Sequence, residues 1–288
     1  MSKLGVRSIT DAIDEGACHS AFLFKSGGPQ GFGARYADMS MGAGTPRYNA
    51  YLGNQLESTQ LIGSANVGIN IGPSPSNGRK RYLSSWMLYT SSATLVPAYY
   101  SLNDYLMFYP LVDGDDTSVQ VLDNIVSLPR YESGEGVMGL IVCQNPMSAT
   151  AACTVTYTNS DGVSGRVTTF GVLTINIAGT SVATSNTSGA GRSEAPFFPL
   201  ANGDKGIRSI ESVQFAGGPC GGFLCFVLVK PLACLQLQET GRATERIHIF
   251  DRMTLPEVKD GAYLNLTYLA GQGGSGFPLM GRFDFIWR

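Results

Sequence analysis

Three carboxylates in four residues, Asp113-Gly114-Asp115-Asp116, form the sharpest acidic knot in the chain. Oxygen ligands at that density can hold Ca²⁺ or Mg²⁺. A calcium loop alternates its ligands and ends on a distant Glu, and this segment has neither feature. Asp carboxylates also cap turns without metal, by accepting hydrogen bonds from nearby backbone N–H groups. The capped turn is the expectation here, with Asp113, Asp115 and Asp116 as weak candidates for an ion.

Other chemistry has less to work with. The chain holds two His, His19 and His248; neither lies in a nucleophile motif, and Gly-x-Ser-x-Gly is absent. Cys18 precedes His19, but adjacent residues in a strand or loop point apart. The six Cys, at 18, 143, 153, 220, 225 and 234, include no CxxC pair, so a zinc site has poor support. Cys143, Cys153, Cys225 and Cys234 lie in apolar runs and read as buried free thiols. The spacing of Cys143 and Cys153 permits a cross-hairpin pair without establishing one. Glycoside hydrolysis needs two carboxylates in a cleft. Glu132, Glu135, Glu194, Glu211 and Asp251 are available, and nothing in their spacing pairs them. Gly271-Gln272-Gly273-Gly274-Ser275-Gly276 has no helix-forming stretch after it to bind phosphate. No enzyme activity and no cofactor are expected.

Composition narrows the class further. Of 288 residues, 43% are hydrophobic and 15% charged, with a net charge of −2. The charged share falls below the ~25% of ordinary domains. Little repulsion then keeps copies apart, which favours self-association or packing into a larger assembly. Nucleic-acid binding is not expected, because no Lys/Arg run extends beyond Arg79-Lys80-Arg81, which reads as a solvated loop. No apolar run is long enough to span a membrane as a helix. The first residues lack the apolar core of a secretory signal, so synthesis in a reducing cytoplasm is expected, with use there or exit by a route other than secretion.

The pattern along the chain is that of short strands. Thirty-six glycines sit mostly beside Ser, Asn, Asp or Pro, which is turn chemistry. Residues 1–80 show little periodicity apart from a short helix in SITDAIDEGA, capped by Ser8 or Thr10, and a short strand over 65–72. They read as an extended arm, and Phe32, Tyr36, Met39, Met41, Tyr48 and Tyr51 are the candidate interaction residues, unusual in a solvated linker. From Tyr82 onward, strands are expected near 82–90, 93–100, 103–110, 119–128 and 136–144, with 110–118 as an acidic loop. A hairpin over 152–172 turns at Asn159-Ser160-Asp161-Gly162. Further strands are expected at 173–178, 207–217, 245–250, 261–269 and 279–287, with polar loops at 179–195 and 271–276. The apolar run 221–237 is expected to be split by Pro231 or to lie at a sheet edge. About fourteen short strands with almost no helix predict an all-β fold, a jelly-roll-like β-sandwich over 81–288 carrying an irregular N-terminal arm, with 131–136 as a point where the sandwich could divide.

The segments Tyr82-Leu-Ser-Ser-Trp, Asp104-Tyr-Leu-Met-Phe-Tyr-Pro-Leu-Val-Asp-Gly-Asp-Asp-Thr, Leu122-Asp-Asn, Leu128-Pro-Arg-Tyr and Gly136-Val-Met resemble uncharacterised virion structural proteins of tailed bacteriophages and prophages. TYTNSDGVSGR (156–166), VKPLA (229–233) and DGAYL (260–264) share that resemblance. It implies a virion component on the capsid surface, of the decoration or cement kind. Its expected partners are the major capsid protein and further copies of itself in a homo-oligomer such as a trimer. The alternative it leaves is a tail or adsorption protein that binds host glycan through the loops at 179–195 or 271–276, and, after that, a virion-associated hydrolase.

Overall fold

The computed structural model describes residues 6–28, 36–64, 67–76, 78–172, 174, 178–179, 196–248, 250, 255–270 and 278–287. The fold is an all-β sandwich in which every ladder between named strands is antiparallel. Helix α1 (Val6–Asp14) comes first. The strands that follow are β1 (Cys18–Lys25), β2 (Tyr36–Asp38), β3 (Gly44–Thr45), β4 (Thr59–Gln60) and β5 (Arg81–Thr90). Next come the 16-residue β6 (Ala98–Asp113), β7 (Gln120–Val121), β8 (Met138–Cys143), β9 (Ala151–Asn159), β10 (Arg166–Val172) and β11 (Ile207–Ala216). The last are the 15-residue β12 (Phe223–Leu237), β13 (Thr244–Ile247), β14 (Glu257–Val258), β15 (Tyr263–Ala270) and β16 (Leu279–Trp287).

They form three sheets. The central one runs β2-β15-β6-β12-β8, with β4 also on β6; one outer sheet runs β13-β5-β16-β1-β3, with β14 also on β5; the other runs β10-β9-β11-β7. The two long strands of the central sheet face both outer sheets, at different points along their length. Leu106, Tyr109, Val112, Leu224 and Phe226 pack with Val155, Phe170, Ile210 and Phe215 of the β10–β7 sheet. Tyr100, Leu102, Leu235 and Leu237 pack with Leu23, Trp86, Leu88 and Phe283 of the β13–β3 sheet. On β12 the odd residues Cys225, Val227 and Val229 join a third cluster with Met41, Tyr51 and Leu61. Side chains alternate sides along a strand, so this part of the central sheet is buried on both faces, as its unbroken apolar sequence requires.

β6 runs through the point where two strands, 93–100 and 103–110, were expected. Asn103 and Asp104, expected at the start of the second of these strands, lie inside the continuous one, and each is satisfied there. The Asn103 amide donates to Ser101 O and Thr267 Oγ1, both at 3.2 Å. The fully buried Asp104 carboxylate accepts from Arg130 Nε at 2.9 Å and Arg130 Nη2 at 2.7 Å, and from the Tyr263 N–H at 3.0 Å. Arg130 also donates to Leu61 O and Tyr105 O. With partners in place, neither polar side chain competes with the ladder. β12 is likewise continuous through Pro231. The ladder with β8 ends at Val229–Met138, so Pro231 sits where one side of β12 is already free, and a register shift between Pro231 and Ala233 absorbs it. A second irregularity lies where Leu224 pairs Val112 and Phe226 pairs Tyr109. Leu111 there takes φ 57, the left-handed conformation, which a bulge accommodates.

The expected arm over 1–80 is corrected. Its described residues are part of the sandwich: β1 lies between β16 and β3, β2 extends the central sheet, and residues 39–61 cover one of its faces. Ser8 and Thr10 lie inside α1 and so do not cap it. In place of a strand over 65–72, Ser64 bridges Val67 and Ile69 bridges Leu264. The strand expected at 119–128 reduces to β7, because Asn124 turns its amide to Ile210 O and accepts from the Tyr109 hydroxyl. The 152–172 hairpin forms as β9 and β10, with the Asn159 side chain accepting from the N–H groups of Asp161 and Val163. The loop expected at 271–276 lies outside the described residues, as do those at 173–195 other than Thr174, Ala178 and Gly179.

Replacing Arg130 with Met strands a buried carboxylate. Urea unfolding is expected to show a loss of about 3–5 kcal/mol. A loss below about 1 kcal/mol, the range of exposed ion pairs, would deny the pair its structural role.

Candidate interaction surface

The acidic loop is a capped turn. Asp113 Oδ1 accepts the Asp115 N–H at 2.9 Å, Asp115 Oδ1 accepts the Gly221 N–H at 3.0 Å, and Asp116 Oδ1 accepts the N–H and hydroxyl of Ser118 at 2.8 and 2.6 Å. Those Ser118 bonds hold the Asp116 carboxyl below its ordinary pKa. Gln120 clasps the Asp113 backbone from both sides, donating to its carbonyl and accepting from its N–H. Gly114 lies so close to the 220–222 turn that a Cβ would meet Gly221 O at 2.3 Å. The three carboxylates thus serve three different backbone sites. Among the described residues no group of three or more His, Cys, Asp or Glu is arranged to hold a metal ion.

The candidate interaction residues of the N-terminal region divide sharply. Phe32 lies outside the described residues. Tyr36, Met39, Met41 and Tyr51 are buried within this same chain, and Tyr48 alone is exposed, at 52%. Their apolar character serves the core and not a partner, which corrects the expectation for those four. Tyr51 is held with φ 53 by a short bond from its hydroxyl to Asp38 Oδ2. The same carboxylate accepts from Ser40 Oγ at 2.6 Å, Ser40 N at 2.9 Å and Tyr105 Oη at 2.7 Å. Asp38, Ser40, Tyr51 and Tyr105 have no solvent exposure. Burial pushes the Asp38 carboxyl above its ordinary 3.8, although these hydrogen bonds oppose the shift. Lys25, also buried, donates to Gly42 O and Pro46 O at 3.0 and 2.7 Å. Burial lowers its pKa to about 8, against the pull of the Asp38 charge. Sequence reading missed this cluster, because Lys25, Asp38 and Tyr105 meet only through tertiary contact.

Arg81 also departs from the expected solvated triplet. It is 2% exposed and pairs with Asp260 at 3.0 Å and Pro73 O at 2.6 Å. Arg79 and Lys80 keep the expected surface role, paired with Glu15 and Glu257. The described cysteines are free thiols; Cys143, Cys153 and Cys225 are buried as expected, while Cys234 is only half-buried. Two hollows of about 380 Å³ open on the surface. One is lined by polar side chains including Gln236, Glu239, Arg242 and Glu245. The other is a groove lined by Tyr36, Tyr99, Ser101, Phe197 and Cys234.

An exposed face is formed by the outward side of β1, β16, β5 and β13. Its rows follow from the ladder registers. One row reads Phe24, Met280, Tyr89. The next reads Phe22, Arg282, Met87, Glu245, and the third Ser20, Asp284, Ser85, Ile247. Phe22 is 68% exposed, Phe24 43%, Met280 42% and Ile247 38%. The inward residues of the same strands, Leu23, Phe283, Trp86 and Leu88, fill the core. Asp284 accepts from Ser20 Oγ, Arg282 Nε and Ser85 Oγ. The alternation in Ala21-Phe22-Leu23-Phe24 was unreadable as in-and-out, because both sets are apolar.

No family model matches this chain, and no curated protein matches it. Among solved structures, the family 11 carbohydrate-binding module of cellulosomal cellulase Lic26A-Cel5E of Clostridium thermocellum is 11% identical over 58% of this chain and 100% of its own, with a TM-score of 0.19. The infectious bursal disease virus VP2 subviral particle is 10% identical over 94% of this chain and 80% of its own, with a TM-score of 0.17. Likenesses this low carry no argument about fold or function.

The Asp38 cluster gives a pH signature. Its folded-state pKa is raised, so the native chain holds that proton more tightly than the unfolded chain does. The contribution is complete below about pH 3.8 and is lost as pH rises through the folded-state value. Urea midpoints of the wild type should therefore include a fall as pH rises above about 3.8 through the raised folded-state value, a fall that Asp38→Asn flattens. An unchanged slope in the variant would remove Asp38 as its source. Tyr51→Phe should cost about 1–3 kcal/mol by leaving the carboxylate one donor short.

Proposed function

We propose that this chain is a virion structural protein of a tailed bacteriophage, a capsid decoration or cement protein that acts through binding energy alone. The observation that carries the reading is the exposed sheet face, where Phe22, Phe24 and Met280 stand outward in register on well-ordered strands. Apolar side chains so placed gain about 25 cal/mol for each Å² a neighbour covers. A contact too weak to hold one pair of molecules becomes effective when a lattice presents many copies at once. The low charge of the chain is consistent with close packing among neighbours.

The phage-like segments support the same reading through what they do here. Asp104, Arg130 and Tyr263 belong to three of those segments and meet at one buried junction. Asn124 of a fourth supports Ile210 and Tyr109. Those residues build a scaffold. In this reading the partners are the major capsid protein and further copies of the chain, at the capsid surface.

Copy number per purified particle, measured by mass spectrometry against the major capsid protein, tests the proposal. Abundance comparable to that of the shell protein is the expected result. A handful of copies per particle would move the chain to the tail, and absence from particles would end the reading.

A further inference from the structure

We infer that the hollow between the 69–74 loop and Gly261 binds a small oxyanion, phosphate or sulfate, with Arg81 as its cation. The site uses none of the outward-facing side chains and does not depend on the decoration reading.

Arg81 opens β5 and is 2% exposed. A guanidinium carries five N–H donors and no acceptor. Here Nη1 donates to Asp260 at 3.0 Å and Nη2 to Pro73 O at 2.6 Å. Nε is buried and has no partner among the described residues. A buried donor without a partner has given up its hydration for nothing, and a charged one has given up more. An oxygen that reaches this Nε therefore gains more than it would at an exposed arginine.

Arg81 lines a hollow of about 230 Å³ together with Ser64, Asn70, Ser74, Gly72 and Gly261. Bare backbone walls it where a side chain has no room. A Cβ on Gly72, which holds φ 78, would meet His19 Cγ at 2.7 Å. The acceptors of this wall are spent. Asn70 Oδ1 accepts the Gly72 N–H at 2.9 Å, Ser64 O accepts from Val67, and Gly261 O accepts from Gly63. The donors that remain among the described residues are Arg81 Nε, the Asn70 amide and the Ser64 and Ser74 hydroxyls. No Asp or Glu is among the described residues that line the hollow. A site that keeps its donors and has used its acceptors fits a ligand made of acceptors, and charge-assisted bonds to an oxyanion are the strongest of that kind.

The surroundings agree in charge. Four cations, Arg79, Lys80, Arg81 and Lys259, share three carboxylates, Glu15, Glu257 and Asp260, because Glu257 serves both lysines. Asp260 is more than half exposed, so solvent screens its hold on Nη1. The volume admits a tetrahedral ion with a few waters, each about 30 Å³.

Titration of the full chain with inorganic phosphate at constant ionic strength, followed through the Arg81 Nε–H resonance, tests the assignment. That resonance should move and saturate in the millimolar range; sulfate should compete, and chloride should do neither. By calorimetry, Asp260→Asn should tighten phosphate about threefold, because it removes the carboxylate that competes for the guanidinium. Asn70→Ala should weaken it by about the same factor, through the loss of one donor. Arg81→Lys keeps the charge and loses the planar fork, and should weaken it about tenfold or more. If that chain fails to fold, the other two variants still decide. Methyl phosphate separates the sources: equal affinity assigns the site to a phosphoryl group carried on another molecule, and preference for inorganic phosphate assigns it to the free ion, either of which supports the site. An Nε–H resonance that does not saturate overturns the inference, as do Asp260→Asn and Asn70→Ala chains that bind phosphate as the wild type does.

Discussion

The bidentate ion pair between Arg130 and Asp104 is the constraint on which the rest of the architecture depends. It lies on β6 where that strand passes from the core shared with the β13–β3 sheet to the core shared with the β10–β7 sheet. One guanidinium reaches Asp104, Leu61 O and Tyr105 O, and the same carboxylate takes the Tyr263 N–H. Four stretches distant in sequence are thereby fixed to one another. A buried ion pair adds little stability relative to apolar packing, yet it strongly penalises any arrangement that leaves one charge alone. In a structure with long ladders, where a slip of one residue would turn every side chain over, such a pair selects one register.

The second buried carboxylate works on the opposite face of the central sheet. Asp38 gathers two tyrosine hydroxyls and a serine, and by doing so holds the 38–51 segment over β6 and β15. Residues that would make an adhesive arm are thus used internally. The exposed apolar side chains Phe22 and Met280 stand instead on a regular sheet whose ladders fix their positions.

Much of the fold was legible in the sequence. Alternation and turn chemistry located β5, β8, β9, β10, β11, β15 and β16 to within a residue or two, and the acidic knot read correctly as a capped turn. The failures share one cause. The break expected between strands 93–100 and 103–110 does not occur, because the partners that satisfy Asn103 and Asp104 within one long strand, Arg130, Thr267 and Tyr263, are remote in sequence. Of the two expectations for Pro231, the split does not occur and the sheet edge does, since β12 runs on past the end of β8. Residues 36–61 looked unpatterned because they cover a sheet face in irregular backbone, with only short contacts such as β4 on β6. The outward phenylalanines of β1 were hidden because inward and outward positions are both apolar. Local pattern carries element type; burial and remote polar partners decide how each element is used.

The β13–β3 sheet is closed by a strand from near each end of the described chain: β1, residues 18–25, hydrogen-bonds along its length to β16, residues 279–287. This has a consequence for biosynthesis. While the ribosome is still working, β1 has no β16 beside it, and β5 lacks the same neighbour. The sheet, and the outward rows that depend on its registers, can form only after residue 287 has been made and has emerged. Until then a nascent chain does not present the finished outward rows.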